Sequence, residues 1–137
     1  MNTQNKAMTW TGRVLTGLIA LMLIASATMK FMKPPDVTKQ FVEHLEYPAD
    51  LLIPIGIAEI TCVVIYVIPQ TAILGAVLLT GYLGGAIATH VRIHDNFAGP
   101  AIGGVLVWLA VFLRDPRVRA LLPFRRTAAS PVETKAQ

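Results

Sequence analysis

A second cysteine is missing from this sequence. The lone Cys62 excludes an intramolecular disulfide and any C-x-x-C redox or metal motif, and it reads as a small buried hydrophobe. Charge is scarce too: Asp, Glu, Lys and Arg make up 15% of the 137 residues, against 54% hydrophobic residues. A soluble globular chain carries about 25% charge, so that class is a poor fit. No ligand set for haem or iron–sulfur is present, and no strand precedes Gly84-Gly85 to make it a phosphate-cradling loop. The net charge of +4 gathers at tails and loops instead of covering a face, which excludes nucleic acid as a partner and matches the topology pattern of a membrane protein.

What the chain has is long apolar runs. Lys6 and Arg13 precede Val14–Met29, a run longer than the core of a signal peptide, so it reads as an uncleaved first span over Arg13–Met29 with Trp10 at the interface. Leu51–Ile68, Thr71–Val91 and Phe97–Leu113 supply three more. Pro69-Gln70 forces the second and third spans into a tight hairpin. The expected fold is all-α, a four-span antiparallel transmembrane bundle in which the lipid bilayer is the first partner. Four spans place both tails and the Pro69-Gln70 turn on one side, with eight Lys and Arg residues against four on the other. The positive-inside rule then predicts a multi-pass protein of the bacterial inner membrane with cytoplasmic termini.

The loop Met32–Asp50 carries Val37, Phe41 and Leu45 at a spacing of four, a short helix that Asp36 is expected to cap. It lies on the membrane surface or lids the bundle mouth. Past the fourth span, Asp115-Pro116 is an N-cap and first-position pair opening a turn over Pro116–Leu122, with Pro123 as its stop. Arg117, Arg119, Arg125 and Arg126 are placed against lipid headgroups. Residues 127–137, rich in Ala, Ser, Thr and Pro, read as a disordered cytoplasmic tail after a membrane domain over residues 1–126.

Glu59 is the sharpest signal, the single charge in the 18 residues Leu51–Ile68. A carboxylate at bilayer depth costs several kcal/mol unless a partner answers it. At 1.5 Å per residue it sits about 12 Å below one edge. Tyr82, eight residues before His90, lies at the same depth, and Lys30 and Arg92 end their spans at that edge. Lys30, Glu59, Tyr82, His90 and Arg92 are therefore the candidate lining of an outward-opening polar cleft. Each has a plainer alternative: snorkelling for Lys30 and Arg92, a packed ring for Tyr82, helix-end capping for His90. No catalytic residue is assigned. His90 and His94 have metal-pair spacing, but Asp95-Asn96 reads as a turn and no third ligand is fixed, so no metal site is assigned either. Gly81, Gly84, Gly85 and Ala88 form a small-residue face in the third span, read as tight internal packing with a homodimer seam as the alternative.

The stretch IPQTAILGAVLLTGYLGGAIATHVR (Ile68–Arg92), followed by GVLVWLAVFLRDPRVRALLPFR (Gly104–Arg125), resembles the DoxX-like family of bacterial membrane proteins. The likeness extends through IGIAEI (Ile55–Ile60) and SATMKFMKP (Ser26–Pro34), where Ala27 and Phe31 replace the usual Gly and Leu. It implies a four-helix inner-membrane protein. Relatives in that family include the small subunit of a thiosulfate:quinone oxidoreductase, a membrane protein of methylamine utilisation, and one associated with oxidoreductases in redox-stress defence. The expectation is an accessory or non-enzymatic subunit, without a covalently bound cofactor, that binds a quinone or lipid. The rival expectation is a component of a membrane oxidoreductase, with electrons coming from a partner subunit.

Overall fold

Between Arg13 and Lys30 the chain has neither a charge nor a proline, and nothing there interrupts a helix. In the computed structural model, which describes residues 3–122, this stretch belongs to helix α1 (Thr3–Met32). Lys33 stops it in the left-handed region, at φ 49°, and Pro34-Pro35 prevent continuation. A short helix α2 (Pro35–Lys39), a π-turn (Gln40–His44) and a 3-10 turn (Ala49–Leu51) carry the chain back to the bundle. Helices α3 (Leu52–Val67), α4 (Ala72–Arg92), α5 (Ala98–Arg114) and α6 (Pro116–Leu121) follow. No strand occurs among the described residues. The expected spans agree with α3, α4 and α5 to within one residue at each end, whereas α1 begins ten residues before Arg13.

The four long helices close a ring in which α1 packs on α3 and α5, and α4 packs on the same two helices. The core comprises Ile19, Leu23, Val63, Leu79, Val107 and Val111, with Tyr66 fully buried among them. Tyr66 crosses the bundle from α3, and its hydroxyl donates to the Val107 carbonyl of α5 at 3.0 Å. The outer surface is apolar: Leu18, Leu21, Ile57, Val77, Ile102 and Val105 are exposed. Among the described residues three helices are long and apolar enough to cross a membrane, and α5, at 17 residues, is a shorter apolar helix. So large an exposed apolar belt suits lipid, not water. Within the spans, Thr16, Thr28, Thr61, Thr80 and Thr89 each donate to the carbonyl four residues earlier, so these hydroxyls need no outside partner in hydrocarbon.

Close helix approach falls on different glycines from those expected. A Cβ at Gly75 would lie 2.2 Å from the Tyr66 Cα, and one at Gly12 would lie 2.8 Å from the Ala110 carbonyl oxygen. At Gly81, Gly84 and Gly85 a Cβ meets nothing within 4 Å, and Ala88 is exposed. At these positions no neighbouring helix comes close enough to require a glycine, whereas Gly75 packs directly on the α3 backbone. Asp36 is a second correction. The N-cap position of α2 is Pro34, with no side-chain cap, and Asp36 lies inside the first turn. Asp115 does cap α6 as expected, accepting from the Arg117 N–H at 2.9 Å. Pro123, Arg125, Arg126 and the tail 127–137 lie outside the described residues.

Candidate ligand-binding cavity

Helices α1 and α3 bring Lys30 and Glu59 together although 29 residues separate them. Lys30 Nζ donates to Glu59 Oε2 at 2.8 Å and to Ser26 Oγ, one helical turn back, at 2.7 Å. Glu59 is 1% exposed, so its charge is answered inside the bundle and not by water. Tyr82 of α4 lies beside the Glu59 carboxylate. About two turns nearer the helix end, His90 Nδ1 sits 2.8 Å from the Ala86 carbonyl, which can only accept. Nδ1 therefore carries the proton, and a neutral ring leaves Nε2 as an acceptor.

Ser26, Lys30, Glu59, Tyr82 and His90 share the wall of one cavity of about 670 Å³. Its remaining lining is largely apolar, with Ile19, Met22, Leu23, Ile55, Leu83, Pro100 and Val107. Gly81 and Gly85 belong to that wall, as does Gly99, so the absence of side chains there leaves volume for an occupant. A mostly apolar cavity of a few hundred Å³ with a few convergent polar groups is the general form of a small-molecule site.

The loop after α2 covers the mouth. Phe41 is buried and stacks on Tyr47, ring centroids 5.4 Å apart, and both line the cavity. Thr89 spends its hydroxyl proton on the Gly85 carbonyl, so at the 2.9 Å contact between them Tyr47 is the donor and Thr89 the acceptor. Arg92 lies outside the cavity wall. Its guanidinium lies over the Tyr47 ring, donates to the Leu45 carbonyl at 2.6 Å and pairs with Glu46 at 3.2 Å. Beyond α4, His44 meets Asp95 at 2.9 Å. That bond, with a second from the Asn96 N–H, holds the Asp95 carboxyl below its ordinary range. Of the five residues expected in the cleft, four line one cavity and Arg92 instead clamps its cover.

Residues 14–113 match the DoxX-like family, well over half of the chain. This chain belongs to the DoxX-like family. No curated protein and no solved structure matches it. Family and exposed apolar helices together make this DoxX-like chain an integral, multi-pass membrane protein. Tyr47 and Thr89 also line the cavity and were not anticipated, whereas Phe41 belongs to the stripe expected on the membrane surface or over the bundle mouth. Ser26 was detectable one turn below Lys30. The contact of Tyr47 with Thr89 spans 42 residues and left no local trace in the sequence.

Proposed function

We propose that the cavity binds a small amphipathic molecule of the quinone class, making this protein a ligand-binding or accessory membrane subunit. The observation that supports this most is the Lys30–Glu59 pair, with Glu59 buried and Lys30 partly buried, forming part of the wall of a large cavity. A quinone head has carbonyl acceptors, which the Lys30 ammonium complements, and an apolar body suited to Leu23, Leu83 and Val107 of the wall. A membrane oxidoreductase component is the rival reading. It uses the same cavity, with a partner subunit delivering the electrons.

A short-chain benzoquinone titrated into the detergent-solubilised protein by calorimetry tests the site. Glu59→Gln keeps the shape and an acceptor for Lys30 but removes the charge that orients it, and should weaken binding about tenfold while the protein stays folded. Unchanged affinity in this variant would leave Glu59 with a structural role alone.

The orientation belongs to the same proposal: both termini cytoplasmic, in a bacterial inner membrane, with the covered cavity facing outward. Reporter fusions at Gln70 and Gln137 should show cytoplasmic activity, and a fusion at Lys39 periplasmic activity. A periplasmic signal from Gln137 would reverse the assignment.

A further inference from the structure

The end of the bundle opposite the covered cavity holds a second cleft, of about 710 Å³. It opens where the first half of α1, the α3–α4 turn and the α5–α6 junction meet, and Arg13, Arg114 and Arg117 line it. Asp115 is the acid among its lining residues, and one oxygen of that carboxylate accepts from the Arg117 N–H. Among the described residues none of the three arginines forms an ion pair. The cleft thus has a net charge of +2, three guanidiniums against one carboxylate, without a protein anion to answer it. Arg13 and Arg117 are exposed; Arg114 is half-buried, lies over the Tyr66 ring and gives one N–H to the Tyr66 carbonyl at 3.1 Å.

The rest of the cleft lining is mostly small or apolar, with Gly17, Ala20, Val67, Ala72 and Val111 beside the polar Thr16 and Gln70. A Cβ at Gly17 would meet nothing within 4 Å, so the cleft has room beside α1, and Leu18 and Leu21 of the same helix are exposed. Arg13 also lies 5.7 Å from the Trp10 ring, placing an aromatic–basic pair of the interfacial type at the same level. A phosphate at the arginines with a hydrocarbon chain descending the Gly17–Ala20 groove satisfies both halves of this site. We infer that this cleft holds one anionic phospholipid, its phosphate gripped by Arg13, Arg114 and Arg117. Arg119 is not part of the cleft lining, and its guanidinium donates to the Leu113 carbonyl at 2.7 Å.

The inference rests on the membrane reading and not on what fills the covered cavity. Native mass spectrometry of the full chain in detergent, titrated with phosphatidylglycerol or phosphatidylcholine of identical chains, tests it. One phosphatidylglycerol should bind at least about tenfold more tightly than phosphatidylcholine, and Arg13→Gln and Arg117→Gln should each remove about tenfold of that preference. If one variant fails to fold, the other still decides the question, since the two lie on different helices. Tyr82→Phe, at the opposite end, should leave the preference intact, and Arg13→Gln should leave benzoquinone affinity intact, so the two sites fail separately. Equal affinity for the two lipids would overturn the inference, as would a preference that survives both arginine variants. Displacement of phosphatidylglycerol by millimolar inorganic phosphate would also overturn it, in favour of a site for free anions.

Discussion

Glu59→Leu should cost about 3–5 kcal/mol of stability, the loss expected when one member of a buried ion pair is removed and the other is left uncompensated. Lys30 would keep its charge and its Ser26 contact but lose the carboxylate 2.8 Å away. Thermal unfolding in a mild detergent should show this as a drop in midpoint. The double variant Lys30→Met with Glu59→Leu removes both charges and should recover most of the loss, because two apolar side chains of similar size suit a largely apolar wall. A double variant no more stable than the single would mean that Glu59 supports the bundle by some means other than its pairing.

Gly75→Ala should be nearly as damaging, at about 3 kcal/mol, because the added methyl meets backbone and not a movable side chain. Its Cβ would lie 2.2 Å from Tyr66 Cα and 2.3 Å from Tyr66 N. Relief requires α3 and α4 to part, which also disturbs the Tyr66 hydroxyl bond to Val107. Gly81→Ala is the control within the same helix. Its Cβ meets nothing within 4 Å, and the expected change is within about 0.5 kcal/mol. Equal sensitivity at the two positions would show that helix propensity, not helix contact, sets the cost.

Much of this architecture was legible from punctuation. Pro69-Gln70 and Asp115-Pro116 close α3 and α5 sharply, so these ends fall within one residue of the apolar runs. The start of α1 was hidden because Thr3–Gly12 is polar, and apolar run length measures where a helix meets lipid rather than where it begins. Depth arithmetic found Lys30, Glu59, Tyr82 and His90, since 1.5 Å per residue converts sequence position directly into height. It misplaced Arg92 because height says nothing about azimuth: Arg92 turns toward Leu45, Glu46 and Tyr47. The same blindness affected the glycines. Gly75 and Gly81 are both small residues on α4, and only the packed structure distinguishes the one that faces Tyr66 from the one that faces the cavity.

The closed ring of helices has a consequence for biosynthesis. Lys30 and Glu59 are separated by 29 residues, so Lys30 gains its counter-charge as soon as the second span inserts. Gly12 finds its partner only when Ala110 and Arg114 have been made, about a hundred residues later. At roughly 5–20 residues per second, the inward face of α1 waits some 5–20 s for α5. During that interval it is exposed to lipid or to the insertion machinery. Ile19, Ala20 and Leu23 on that face are apolar, and the Thr16 hydroxyl is already bonded to Gly12 of its own helix. The face that becomes the core is therefore one the bilayer tolerates while the ring is still open.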